Sequence, residues 1–215
     1  MFHDGNHSYV QDAGTGDLYL RGTNSVIISG TNTGQTLGQF IEGDGCVFRF
    51  NNTIRIATTN TGIDVTGTAV TDGLTVAGAS DFTGQLKEAV VVTAGKLSDN
   101  TDLNIASGNV FLFTTAESTT STPNLRYDGS TTLDSKMAVG DCLSVTIITT
   151  ANASAYSAQL TIDGAAVTEV WTGGSAPSGG GSSGKDIHAY TIIKVASSGT
   201  LANDYTVIAN HTKTS

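Results

Sequence analysis

Apolar residues in this chain recur at every second position. No window holds an i, i+3, i+4, i+7 apolar stripe long enough for a helix, and short alternating segments bounded by Gly, Asn and Asp recur instead. In residues 1–95 the alternation predicts short strands at 8–11, 17–21, 26–29, 46–50 and 53–58. Five Asp-Gly pairs, beginning at Asp4, Asp44, Asp72, Asp128 and Asp163, are expected to supply the positive-φ positions of tight hairpin turns. The run Gly62-Ile63-Asp64-Val65-Thr66-Gly67 returns eleven residues later as Gly73-Leu74-Thr75-Val76-Ala77-Gly78, with Gly84 continuing the register. So short a period leaves room for one strand and one turn. Such a unit must stack on neighbours or on other chains to bury its apolar side.

From residue 96 the segments lengthen and become more apolar, with strands expected at 109–115, 143–150, 156–162, 166–171, 187–195 and 205–210. In the third of these, Tyr156, Ala158, Leu160 and Ile162 fall on one face and Ser157, Gln159 and Thr161 on the other, as in a half-buried antiparallel strand. The expected fold is therefore all-β: an elongated, stacked or intertwined β-shaft over 1–95, then an antiparallel, jelly-roll-like β-sandwich head over 96–215. The stretch Ser-Gly-Gly-Gly-Ser-Ser-Gly at 178–184 reads as a mobile surface loop of the head.

Composition narrows the function. Only 38% of residues are hydrophobic and 7% aromatic, a thin core for 215 residues, and charged residues make up 13%. The abundance of Thr, Val and Ile still argues for strands over disorder. A net charge of −9 with singly scattered Lys and Arg excludes a basic nucleic-acid-binding stripe. No apolar run reaches the length of a membrane span, and the first residues lack the charged and apolar regions of a secretory signal. Cys46 and Cys142 show no metal-ligand spacing and are expected to be free thiols. The Asn-X-Ser/Thr sequons at Asn6, Asn51, Asn152 and Asn210 are read as chance in so Asn-, Ser- and Thr-rich a chain.

Three stretches carry a resemblance. The opening HDGNHSYVQDAGTGDLYLRGTN resembles a module of tail fibres and other virion structural proteins of tailed phages, especially marine cyanophages and their podovirus relatives. TTNTGIDVTGTAVTDGLTVAG is similar to the stretch that follows it there, and VWTGGSAPSGGGSSGKDIHAYTIIKV to the end domain of such proteins. The resemblance covers residues 3–86 and 160–208. It implies a homotrimeric, β-rich fibre or spike subunit without a cofactor, located in the virion and assembled in the host cytoplasm. Its implied partners are copies of itself, other virion proteins, and a host-surface glycan or protein, with no nucleic acid and no membrane insertion. Fibres of this kind usually begin with a tail-anchoring domain, whereas this chain starts within the module at Met1-Phe2-His3. That departure keeps a capsid-decorating or virion-connecting role as the alternative.

Candidate chemistry is sparse. The acids stand mainly in turns beside Gly or Asn, and Asp64 and Asp81 occur singly, so no catalytic residue is assigned and a polysaccharide depolymerase ranks last. His3 and His7, or His188 and His211, are the side chains a symmetric metal site would use, but polar surface histidines are the expected reading and no metal site is assigned. Aromatic residues concentrate in the head as Tyr127, Tyr156, Trp171, Tyr190 and Tyr205. Trp171, Gly173, Gly174, Pro177 and Tyr190 are the candidate receptor contacts, since exposed aromatics beside a glycine turn stack on sugars and anchor interfaces. The competing expectation for Trp171 is core packing.

Overall fold

The computed structural model describes residues 2–31, 34–71 and 74–214. The chain is mostly β, with 41% of residues in strands and 6% in helices, and it divides into two compact units, Met1–Ser80 and Asp81–Ser215.

In the first unit, β1 (Phe2–His3) and β2 (Ser8–Tyr9) form a hairpin around Asp4-Gly5. Gly5 takes φ +102° there, and Asp4 Oδ1 accepts the backbone N–H groups of Asn6 and His7. Strands β3 (Ser25–Ser29), β4 (Thr36–Ile41), β5 (Cys46–Phe50), β6 (Thr53–Thr59) and β7 (Gly62–Val65) follow as an antiparallel meander in chain order. The strand expected at 17–21 does not form, and β4 was not expected, because Gly38 and Gln39 interrupt its apolar alternation. The aromatic ring of Phe48 lies over Gly38, where a Cβ would stand 3.6 Å from it. Asn51 and Asn52, both at positive φ, turn β5 into β6.

Directly paired residues share a face of a sheet. The register therefore draws one row, Ile28–Gly38–Phe48–Ile56–Val65, across all five strands, with Val26 and Phe40 paired beside it. Ile28, Phe40, Phe48, Ile56 and Val65 are each at least 41% exposed, and Val47, on the other face, is the one buried apolar side chain of this unit among the described residues. The first copy of the eleven-residue repeat contains β7. Its second copy forms no strand among the described residues, and Asp72 and Gly73 lie outside them.

The second unit holds β8 (Val90–Thr93), β9 (Asp102–Asn104), β10 (Val110–Ala116), β11 (Asn124–Arg126), β12 (Cys142–Thr150), β13 (Thr161–Ile162), β14 (Ala165–Ala166), β15 (Glu169–Trp171), β16 (Lys185–Lys194) and β17 (Tyr205–Thr212). One sheet runs β15-β17-β16-β12-β10-β8 and the other β14-β13-β11-β9. Alternation along the long strands sends Phe111, Phe113, Val145, Ile147, Tyr190, Ile192, Val207 and Ala209 into a single apolar cluster with Leu103, Leu125 and Ile162 of the smaller sheet. Leu97, Leu133 and Leu160 of the connecting segments complete it.

Several expectations for this unit are corrected. Pairing is mixed: β8–β10, β10–β12 and β15–β17 run parallel in one sheet, and β9–β11 and β11–β13 in the other. Strand β8 lies before residue 96 and belongs to the larger sheet, so the second unit begins earlier than the expected boundary. The strand expected at 156–162 contracts to Thr161–Ile162, and Ser157 is buried while Ala158 is exposed, the reverse of the expected faces. Of the Asp-Gly pairs, Asp163-Gly164 forms a two-residue turn with both φ positive between β13 and β14. Gly45 and Gly129 are not at positive φ.

Candidate functional site

The inner face of the larger sheet changes character along β16. At its middle, Val145, Tyr190, Ala209 and Trp171 pair across four strands. Ala209 is small enough to let the two rings meet over it, edge to face, at 6.3 Å and 70°. Trp171 is half-buried against the core cluster. Tyr190 is only 2% exposed; its hydroxyl shares a 3.1 Å hydrogen bond with Ser157 Oγ, and burial raises its pKa above the usual tyrosine range. It is closed to any receptor, which corrects its reading as a contact.

The turn after Trp171 is exposed. Gly174 N–H donates to the Trp171 carbonyl, Gly173 and Gly174 sit at φ +88° and +85°, and Pro177 is half-buried. Of the five candidate contacts, Gly173 and Gly174 are therefore open, Trp171 and Pro177 partly open, and Tyr190 shut. Glu169, on the same face as Trp171, accepts the Leu160 backbone N–H at 3.0 Å, while burial holds its carboxyl above the ordinary range.

Beyond Tyr190 the core turns polar. His188 on β16 pairs directly with His211 on β17, and their rings stack at 4.2 Å and 9°. His188 Nε2 accepts the Ser157 backbone N–H at 3.4 Å, so the ring is neutral there; burial, helped by the neighbouring His211, lowers its pKa to about 3. His188 Nδ1 has no hydrogen-bond partner. Asp186, fully buried two residues earlier, lies 3.8 Å from His211 Nε2, too far for a hydrogen bond.

Sequence reasoning missed what holds Asp186. Its Oδ2 accepts the Gly181 N–H at 2.7 Å and its Oδ1 the Thr214 N–H at 3.3 Å. Within the stretch 178–184 expected to be a mobile surface loop, the Gly179–Gly181 run is closely packed and Ser182–Gly184 are exposed. A Cβ on Gly180 would collide with the carbonyl oxygens of Asn152 and Ala155, and one on Gly181 with the Thr214 carbonyl and Asp186. Composition alone does not separate glycines that confer freedom from glycines that permit close approach. The signal available was Asp186, an acid at an inward position of a strongly alternating strand.

Ser157, His188 and Asp186 are neighbours but not an acyl-transfer constellation. Ser157 Oγ bonds Tyr190 and not His188, and Ser157 is 1% exposed. In the first unit, His3 Nδ1 meets Ser8 Oγ at 3.3 Å. Among the described residues no group of three or more His, Cys, Asp or Glu could hold a metal ion, and no helix is long and apolar enough to cross a membrane. Cys46 and Cys142 are free.

No family model, curated protein or solved structure matches this chain.

Proposed function

We propose that this chain is a structural subunit of a phage virion, assembling as a homotrimer into a tail-fibre or spike-type appendage that attaches to the host surface. One observation carries the reading: the two units bury their apolar residues differently. The second closes a core between its sheets, whereas the first leaves a five-strand apolar row uncovered. A sheet that buries one apolar side chain of its own is completed by another chain. In this reading residues 1–80 are the shaft, closed by association of copies, and residues 81–215 are a β-sandwich head. The head's open turn, Trp171 with Gly173, Gly174 and Pro177, then offers half an indole and a bare backbone to a surface glycan or protein.

The test combines mass and place. Sedimentation equilibrium should give three times the 22.0 kDa chain mass at micromolar concentration. Gold-labelled antibody should decorate the tail of intact virions, and the purified protein should adsorb to host cells. A monomer sinks the assembly reading. Labelling of heads without cell adsorption replaces attachment with capsid decoration.

A further inference from the structure

From Leu74 to Ala89 every residue is exposed and none is in a strand or a helix. From Leu74 to Lys87 no backbone N–H or C=O is paired with the backbone of another described residue. The sequence here is nevertheless that of a strand. Leu74, Val76, Phe82 and Leu86 all fall on even positions and are 76%, 49%, 63% and 71% exposed. The odd positions from Thr75 to Gln85 hold only Thr, Ala, Asp and Gln. In an extended chain these two sets lie on opposite faces. A flexible linker has no need of such alternation, and structureless runs of this length are uncommon inside compact domains. Leu74 and Val76 also stand at the repeat positions of Ile63 and Val65, which β7 holds in a strand against β6. The second copy of the repeat thus has the pattern of a strand without a partner in its own chain among the described residues.

We infer that residues 74–86 form one strand of a three-chain stem, in which the even-numbered side chains of three copies meet on a threefold axis and the odd-numbered ones face water. The inference rests on the homotrimer proposed above and names a contact which that reading does not contain. Three observations select the same segment of other copies as the partner. First, one apolar face and two open ladder edges are closed together by a ring of three. Each strand then has a neighbour on either edge, and its apolar row turns to the axis, whereas a pair of strands leaves an edge open. Secondly, the row suits an axis on which every side chain meets its own kind. It is uncharged from Leu74 to Leu86, and in sequence its first charges, Asp72 and Glu88, bound the segment. Gly78 and Gly84 stand on either side of Phe82 in the same row, so backbones can approach where three phenylalanine rings need room between them. Thirdly, the size fits. A segment of about 1.3 kDa exposes roughly 1,800 Å² when extended. Covering one face and both edges removes about half, or roughly 2,700 Å² over three chains, within the range of permanent assemblies. The stem is also continuous in sequence with the contact already proposed, because Val65, the repeat counterpart of Val76, ends the uncovered row of the meander.

The test reads the parity. In the full chain with Cys46→Ser and Cys142→Ser, single thiols are placed at neighbouring positions, Leu86→Cys against Gln85→Cys and Val76→Cys against Thr75→Cys. In the native assembly, maleimide should label positions 86 and 76 at least tenfold more slowly than 85 and 75. Mild oxidation should join two chains through position 86, and through 76, into a dimer on a non-reducing denaturing gel, and should leave the odd-numbered variants unlinked. Loss of the trimer in both even-numbered variants but in neither odd-numbered one would support the same row. A trimer whose even and odd positions label equally fast overturns the stem and leaves assembly through the meander standing. Slow labelling of the even positions without a covalent dimer means that the segment is covered by its own chain, which also overturns the inference. A 22.0 kDa monomer removes both readings.

Discussion

His188 shows how much of the second unit's behaviour sits in single side chains. It is neutral in the fold because burial lowers its pKa from 6.5 to about 3. Between those values the unfolded chain binds a proton that the folded chain does not, so stability rises with pH across that window and falls as acid is added. His211, also lowered by burial, acts in the same direction, while Asp186 opposes its shift and Lys213 adds to it. Tyr190 stays protonated throughout. Unfolding free energies from urea titrations should therefore drop from pH 7 to pH 4, by up to about 1.4 kcal/mol per pH unit from His188 alone, and His188→Gln should flatten the slope. An unchanged slope in that variant would place the acid sensitivity elsewhere. Gly181→Ala tests the packed loop next door. Its Cβ would meet a carbonyl oxygen and a buried carboxylate, so a loss of about 1–3 kcal/mol is expected by overpacking. A melting curve like the parent's would restore the mobile-loop reading. Trp171→Ala separates packing from contact. Half-buried beside Tyr190 and the core cluster, Trp171 should cost about 3 kcal/mol on removal, at the low end for a large aromatic. An unaltered melting temperature with lost cell adsorption would make it a receptor anchor instead. The packing of Trp171 was one of two expectations, and Glu169 on the same face hinted that this face is partly wet. The burial of Tyr190 against Ser157 was not legible, because the strand expected at 156–162 is interrupted between an isolated bridge at Ser157 and β13, which alternation cannot encode.

At the scale of elements, the long strands were legible and their directions were not. Strands β10, β12, β16 and β17 lie within a few residues of their expected bounds, since each is a run of seven or more residues rich in β-branched and aromatic side chains. Alternation, however, is the same for a parallel and an antiparallel neighbour. The parallel pairs among β8 to β13 follow from connections that cross from one sheet to the other, and nothing in local sequence announces those crossings. The boundary was missed for a related reason. Val90-Val91-Val92 reads as a continuous apolar run, yet β8 is an edge strand with Val91 packed inward and its neighbours outward. Its contribution can be measured. A chain beginning at Asp81 should unfold in one cooperative transition. A chain beginning at residue 96 loses β8, bares the ladder edge of β10 and removes Val91 from the core. It should melt lower and aggregate sooner, as an unprotected edge does. Equal circular-dichroism melting temperatures for the two chains would return β8 to the first unit.

For the whole molecule, the homotrimer proposed above raises the question of which force would hold its copies together. A chain of −9 assembled three times over accumulates like charge, which opposes association. Ionic contacts are poor candidates to overcome it. Only ten Lys and Arg are present, and among the described residues the salt bridges not involving histidine all lie within the second unit, where Lys96, Arg126 and Lys194 meet Asp99, Asp102 and Asp134. The apolar row of the first unit supplies the alternative, with Phe40, Phe48 and Ile56 exposed on it. Association through such faces is driven by removing apolar area from water, at about 25 cal/mol per Å² before the cost of association is subtracted. These two forces respond oppositely to salt. Screening weakens an ionic interface but relieves like-charge repulsion across an apolar one, because the Debye length shrinks from about 10 Å at 0.1 M to about 3 Å at 1 M. The oligomer should therefore keep its mass from 0.05 to 1 M sodium chloride, and its melting temperature should rise with salt. Sedimentation equilibrium and calorimetry on one sample series measure both. A mass that falls toward 22.0 kDa as salt rises would mean that charge holds the copies together, and the apolar row would then need another occupant.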